Sequence, residues 1–510
     1  MAKKTTPVNK RPIQYYVSTL LIVIVLVLLE IAIIATHVLW VSRSVSLANL
    51  ILRILSFFVL LHIINKEYNT AYKLAWCIPI LLFPLVGGLT YLIGRSRNYH
   101  KKAKIRIKHI DHIVSKAMPN LQSEESSIKN NIANYLKNKG FYQSIGDKIT
   151  YHSMGDSFLE SIIEDLKQAE HFVFLEYFII QQGQMWDSIL EILKEKAASG
   201  VDVRILYDGM GCIRTLPRNY PKVLAKYGIK AKQFSAFKPI LSTLQNNRDH
   251  RKIAVIDGRI AYTGGINLAD EYINAVQRYG VWKDSAIRIE GGAAMGYTRF
   301  FLTQWNIKDG DNETDYSRYF VNPEIKHSNQ TVIPYAVSPL DDRSIAKEIY
   351  QQIINCSQKY LYIMTPYFIP GEEILTSLKI AAESGVDVRL ITPHISDNKW
   401  IHIITRSKYR ILLDSGVKIY EYAPGFIHSK NIVSDDMISI CGSINLDYRS
   451  LYLHFECAAL VLGKDTADDI KKDFLNTLTV CKEITKKDTE KIGFFQRIYL
   501  ALIRTFEPLL

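Results

Sequence analysis

Six cysteines are scattered along the chain and none forms a C-x-x-C pair, so neither a zinc-finger signature nor a disulfide framework is present. They read as ordinary thiols of a reducing compartment. No H-E-x-x-H, P-loop or EF-hand string occurs, which removes zinc-protease, nucleotide-cradling and calcium-loop chemistry. His109 and His112 have the spacing of a metal pair, but nothing nearby completes a site. They read as part of a solvated basic helix face. No metal and no cofactor is therefore expected. Acidic residues are the scarcer charge, 50 against 63 Lys and Arg, for a formal net charge of +13. That balance suits an anionic partner, either nucleic acid or an anionic lipid surface. An apolar content of 48% over 510 residues excludes general disorder and allows more than one globular unit.

The first hundred residues favour lipid. Val17 to Val41 is almost wholly aliphatic, broken by Glu30 and His37. As a helix it would span roughly 37 Å, ample for a bilayer core of about 30 Å. It is long for a signal peptide, and no small-x-small cleavage site follows it. A second apolar stretch, 47–64, carries Arg53 near its centre; a third, 74–94, is uncharged but holds Pro79, Pro84, Gly87 and Gly88. Residues 1–94 thus read as a membrane anchor with two or three hydrophobic segments. Basic residues flank both ends: Lys3, Lys4, Lys10 and Arg11 before, and Arg95 through Lys108 after. Both ends prefer the cytoplasmic side, so either the Arg53 segment fails to cross or one end departs from the rule. The expectation is a multi-pass cell-membrane protein with its catalytic part on the cytoplasmic face. Residues 95–140 read as a basic juxtamembrane linker lying against anionic headgroups. At the other end, residues 481–510 include Ile492–Phe506, which reads as an interfacial helix or as a terminal helix packed on the body.

The remainder contains its own duplicate. AASGVDVRIL at 197–206 recurs as AESGVDVRLI at 382–391, and Tyr177-Phe178-Ile179 recurs as Tyr367-Phe368-Ile369. Each half runs apolar strand (172–180; 360–369), helix (187–198; 372–383) ending at Gly200 or Gly385, then a β-rich run (201–207; 386–392). Strands alternating with helices predict an α/β fold: two lobes, each a mixed sheet flanked by helices, paired with pseudo-twofold symmetry behind N-terminal transmembrane helices. The expected lobes are 141–310 and 336–480, joined by a polar linker, 311–335.

One patterned string occurs in each lobe. His250-Arg-Lys252 leads to Asp257 and then Gly264-Gly265-Ile-Asn267; His428-Ser-Lys430 leads to Asp435 and then Gly442-Ser443-Ile-Asn445. His and Lys stand two apart in both copies, and His to Asp and Asp to Gly are each seven. Residues two apart on a strand face the same way, so each His and Lys project together. Asp257 and Asp435 fall at the far end of a strand and read as turn or partner residues rather than direct catalysts. The glycines are expected to let backbone approach a bound group, with Asn267 and Asn445 as amide donors beside it. Two imidazoles, two ammoniums and two carboxamides match the needs of metal-free phosphodiester exchange. One His attacks phosphorus and the other moves the alcohol proton, while Lys252, Lys430 and the two Asn hold the non-bridging oxygens.

The H-x-K-x4-D-x6-G-G/S-x-N string, present twice, resembles the phospholipase D superfamily. The flanks NRDHRKIAVIDGRIAYTGGINLADEYI and HSKNIVSDDMISICGSINLDYRSLYLHFE are similar to bacterial cardiolipin synthases, as is AWCIPILLFPLVGGLTYLIG ahead of them. The resemblance covers 47–510. It implies two phospholipase D-like lobes and a reaction in which two phosphatidylglycerols give cardiolipin and glycerol. It also implies His250 as nucleophile, His428 as general acid, and an acidic residue behind each histidine to orient its ring, at positions matched by Asp284 and Glu456. The expected partners are phosphatidylglycerol and anionic membrane lipids, and no nucleic acid, because the apolar segments have no use in a nuclease. The Val17–Val41 segment lies ahead of the family's usual hydrophobic pair and bears on topology alone. Water or another alcohol as acceptor would use the same site. Phe234–Leu244, just before the first motif, reads as an acyl-chain wall or a surface loop. Tyr177 and Tyr367 read as core aromatics that could also reach the site.

Overall fold

A computed structural model describes residues 43–507 apart from 67–68, 95–96, 120–130, 236–245, 308–312, 314, 322–327, 490–499, 502 and 506. The Val17–Val41 segment, most of Phe234–Leu244 and the greater part of Ile492–Phe506 lie outside the described residues. The described chain forms two compact units. One contains the helices Arg43–Ile64, Thr70–Leu82 and Pro84–Gly94; the other contains 101–235 and 248–489.

In the helical unit the stretch 74–94 spans two helices, Thr70–Leu82 and Pro84–Gly94. Pro84 has no N–H to continue a helix, and the chain breaks at Phe83, whose N–H donates to the Pro79 carbonyl. The segment then doubles back: Trp76 and Tyr91, 15 positions apart, pack with ring centroids 5.4 Å apart. Gly87 permits the close return, since a Cβ there would stand 2.7 Å from the Ile80 backbone. Ile63, Ile80 and Tyr91 are buried together, whereas Leu50, Phe57, Phe58, Leu81 and Leu82 are exposed. Among the described residues no helix is long and apolar enough to cross a membrane.

The larger unit holds two lobes built on one plan. In the first, seven strands lie in the order Lys148–His152, Ala286–Glu290, Ile260–Gly264, Lys252–Ile256, Phe172–Tyr177, Asp202–Asp208, Lys230–Phe234. In the second the matching order is Thr331–Val337, Glu456–Leu462, Ile438–Gly442, Asn431–Ser434, Tyr360–Met364, Asp387–Pro393, Lys418–Tyr422. The last three strands of each row pair parallel and the others antiparallel. The parallel pairs need crossovers, and the helices Gln184–Ala198 and Glu372–Glu383 supply the first of them in each lobe. Each stops before a glycine with positive φ, Gly200 and Gly385. Helices cover both sheet faces, so the central strands Phe172–Tyr177, Lys252–Ile256 and Tyr360–Met364 are buried along their whole length.

The lobes exchange material. Ser144–Ile145 adds to the edge of the second sheet, and the helix Asn131–Asn138 packs in the second lobe's core. Thr331–Val337, within and just beyond the stretch read as a linker, is a long inner strand, and Cys481–Ile484 closes the opposite edge. The helix Ala294–Trp305 is buried except at Arg299; it packs on strands of both sheets. Val281–Lys283 pairs in parallel with Gly425–Ile427 across the lobe boundary. The basic region 97–116 is helical. From Lys101 it belongs to the larger unit, tied by the bidentate pair of Arg299 with Asp111 (2.8 and 2.6 Å) and by buried Val114. His109 and His112 are exposed on it.

Candidate active site

The chain path after each crossover sets the site. His250 and His428 precede inner strands at the lobe boundary, and each borrows its backbone partner from the opposite lobe's acidic segment. His250 N–H donates to the Phe455 carbonyl (2.9 Å) and His428 N–H to the Lys283 carbonyl (2.6 Å). The next residue in each segment is the acid, so each imidazole is oriented across the boundary. His250 Nδ1 lies 2.9 and 3.0 Å from the two Glu456 oxygens, and His428 Nδ1 lies 2.6 Å from Asp284 Oδ2. All four side chains are buried. With Nδ1 engaged, Nε2 of each ring is left for chemistry.

The lysines are buried too. Lys252 Nζ donates to the His250 carbonyl (2.5 Å), and Lys430 Nζ makes the same bond to the His428 carbonyl. Burial pulls Lys252 down to about 7 and Lys430 to about 8, against the pull of Glu456 and Asp284. Burial also lowers both histidines, His250 to about 3 and His428 well below its ordinary value.

The two acids differ. Glu456 accepts from Ser443 Oγ (2.5 Å) and Ser450 Oγ (2.7 Å) besides His250. Burial works to raise it, but His250 and Lys252 outweigh burial and hold it well below the usual carboxylate range. Asp284 has the Ser285 N–H (2.8 Å) and His428 but no hydroxyl donor among the described residues. Burial pushes it up to about 7 despite Lys430. The motif explains the difference: where the second lobe has Ser443, the first has Gly265, at which a Cβ would stand 2.1 Å from Asp284 Oδ1.

Two matches bear on these residues. A family model described as "Cardiolipin synthase, PLD-like domain" matches residues 162–287 and 350–478, one per lobe. Cardiolipin synthase 2 of Staphylococcus epidermidis is 32% identical over 463 residues, 88% of this chain and 94% of that protein. The chain belongs to the cardiolipin synthase family.

A cardiolipin synthase of Staphylococcus aureus is 32% identical over 92% of this chain and 97% of its own length. An uncharacterized protein of Streptococcus mutans is 41% identical over 88% and 99%. A "Phospholipase_D-nuclease N-terminal" model matches 54–95. The crystal structure of phosphatidylserine synthase from Haemophilus influenzae superposes with a TM-score of 0.57 at 15% identity, covering 74% of this chain and 98% of that one; it shares the fold.

Among the family's motif positions, Asp257 and Asp435 lie away from the imidazoles. They sit in hairpin turns with positive φ (51° and 54°). Each carboxylate accepts three consecutive backbone N–H groups at the start of the lobe's first central strand. Asp257 takes Glu170, His171 and Phe172 (2.7–2.8 Å); Asp435 takes Gln358, Lys359 and Tyr360 (2.7–3.0 Å). The glycines approach protein rather than an open pocket. A Cβ on Gly264 would stand 2.3 Å from the Ser285 carbonyl, and one on Gly442 2.3 Å from the Ala458 Cβ; these short residues let neighbouring strands close. Asn267 accepts from the Ile179 N–H (3.0 Å) and donates to the Tyr272 hydroxyl (2.6 Å), whereas buried Asn445 Oδ1 has no hydrogen-bond partner among the described residues. Tyr177 is core; the Tyr367 hydroxyl donates to Asp397 (2.6 Å).

Several residues escaped sequence reasoning. Ser443 and Ser450 support Glu456, Phe178 packs on His250 (4.9 Å), and Trp282, Tyr272 and Phe426 surround His428 (5.4–5.7 Å). Ser443 stood inside the motif, and its Gly265 counterpart was the available signal. Phe178 stood inside the repeated Tyr-Phe-Ile triplet, whereas Trp282, Tyr272 and Phe426 carry no spacing that marks them.

Proposed function

We infer that the chain is a cardiolipin synthase of phospholipase D type, transferring a phosphatidyl group between two phosphatidylglycerols to give cardiolipin and glycerol. The observation that carries the assignment of roles is the unequal support of the two imidazoles. Charged Glu456 accepts the Nδ1 proton of His250, leaving a lone pair on Nε2 for attack on phosphorus. Asp284, protonated to near neutrality, donates to Nδ1 of His428 and so keeps a proton on Nε2, the proton a departing alkoxide needs.

In the first half-reaction the His250 Nε2–phosphorus bond forms, the bond to the glycerol headgroup breaks, and His428 protonates the leaving oxygen. In the second, His428 removes the proton from a headgroup hydroxyl of another phosphatidylglycerol. That oxygen attacks phosphorus, and the phosphorus–nitrogen bond breaks. Lys252 and Lys430, with Asn267 and Asn445 beside them, balance charge on the non-bridging oxygens, and a single such donor is worth about 2.7–4 kcal/mol. The residues are organised as lobes spanning 148–305 and 331–484, and the N-terminal part holds the enzyme at the cell membrane. The exposed apolar residues of the helices Arg43–Ile64 and Thr70–Leu82, Leu50, Phe57, Phe58, Leu81 and Leu82 among them, seat in lipid. The basic run from Arg95 favours the cytoplasmic face for the catalytic unit.

A product assay tests the function. Purified protein in detergent micelles receives phosphatidylglycerol alone, and lipids are resolved by mass spectrometry. Cardiolipin with stoichiometric glycerol is expected. Phosphatidic acid without cardiolipin would make water the acceptor and refute the synthase assignment.

A further inference from the structure

The two halves of the site differ most in chemistry two positions before each acid, where Trp282 precedes Asp284 and His454 precedes Glu456. Trp282 packs on His428 and His454 packs on His250, with ring centroids 5.4 and 5.6 Å apart. An indole offers one N–H donor and nothing to a cation's coordination shell, whereas an imidazole offers a ligand lone pair. The His454 side chain is only 10% exposed. Neither of its ring nitrogens has a hydrogen-bond partner among the described residues, which is unfavourable for a buried polar group.

Its position supplies a reason. His454 Nδ1 lies 3.7 Å from Glu456 Oε1, the oxygen that also lies 2.9 Å from His250 Nδ1. One ligand atom from each of the three residues falls within 4.8 Å of the others. Zinc binds imidazole and carboxylate at about 2.0–2.2 Å, which places neighbouring ligands of a tetrahedral ion roughly 3.3–3.5 Å apart. The observed separations straddle that value. Two imidazoles and one carboxylate suit zinc and its neighbours in the first transition row, and not magnesium or calcium, which take oxygen shells.

We propose that His250, His454 and Glu456 form a binding site for a zinc-class divalent cation, and that filling it halts phosphatidyl transfer. The ion displaces the proton from His250 Nδ1 to solvent and takes up the carboxylate that orients the ring. An imidazole bound to a dication is a poor nucleophile, so His250 is withdrawn from catalysis without covalent change. The other half of the site has no such sensitivity, because Trp282 stands where a third ligand would be. Inhibition rests on the synthase reading above; metal binding itself does not.

The test uses Co2+ as the probe and the full-length protein in detergent. Wild type should bind one Co2+ per chain with tetrahedral d–d absorption and no sulfur-to-cobalt band. His454→Asn and His454→Phe should lose that absorption while still forming cardiolipin. In parallel, the Zn2+ concentration that halves cardiolipin formation should rise at least roughly tenfold in both variants, the scale reached by removing even an outer-shell partner. Retained Co2+ absorption in the variants, a sulfur band in wild type, or unchanged Zn2+ sensitivity would overturn the site. A wild type that binds Co2+ but makes no cardiolipin would instead refute the synthase reading and leave the metal site standing.

Discussion

The His250 end and the His428 end of the site share a strand plan, a backbone hydrogen bond from the opposite lobe and an acid on Nδ1, yet their acids are shifted in opposite directions. At the His250 end, Glu456 accepts from two serine hydroxyls, and His250 and Lys252 keep it ionised. At the His428 end, Gly265 replaces one hydroxyl, three aromatic rings crowd the imidazole, and Asp284 rises to about 7. A duplicated motif supplies two equivalent histidines; what surrounds them decides which attacks and which protonates. Environment, rather than residue identity, separates an acid from a base here, as it does wherever two like groups share one site.

The hardest way to break the comparison is to remove a ring. His250→Ala and His428→Ala should each take transfer below detection, and acid-quenched wild type should carry phosphatidyl label on His250. Label on His428 would exchange the two ends. A sharper cut neutralises the acids separately. Glu456→Gln can donate to Nδ1 and impose the wrong tautomer on His250, so kcat should fall roughly 10²–10⁴-fold with KM little changed. Asp284→Asn keeps a donor facing His428, so near pH 7 its loss should be smaller.

The pH profile carries the same contrast. Asp284 holds its proton below about 7 and Lys252 its charge below about 7, so wild-type kcat should decline as pH rises through that range. Asp284→Asn removes one of these two titrations, so the decline should become shallower while Lys252 holds its position; an unchanged slope would detach it from Asp284. The smallest catalytic effect is expected at the strand-end aspartates. Asp257→Ala or Asp435→Ala frees three backbone N–H groups, and each hydrogen bond to a charged group is worth about 1.5–3 kcal/mol. Thermal unfolding should shift well downward while the surviving folded enzyme keeps most of its kcat. A collapse of kcat at unchanged stability would return these residues to the chemistry.

The duplicated strand–helix–strand plan was legible because it is local: the apolar runs, the glycine stops and the repeated GVDVR text all lie within one lobe. The His-Lys strings were legible for the same reason. Crossing of the acids was not, since it depends on Val281–Lys283 pairing with Gly425–Ile427 and on Phe455 meeting His250, contacts between residues well over a hundred positions apart. Thr331–Val337 was hidden in a stretch read as a linker because its flank is polar and Pro334 interrupts it; its neighbours Glu456–Leu462 and the edge strand Ser144–Ile145 secure it as an inner strand. The fold-back of 74–94 was obscured because an apolar run with two prolines has the same composition whether it continues or returns.

The exchange of acids between lobes also has a consequence in time. A ribosome that has released only the first lobe has made a complete His-Lys-Asp string, together with the acid destined for the other lobe's histidine, but not the glutamate that His250 needs. Because each imidazole takes its Nδ1 partner from the other lobe, an unfinished or clipped chain leaves both histidines without their acids.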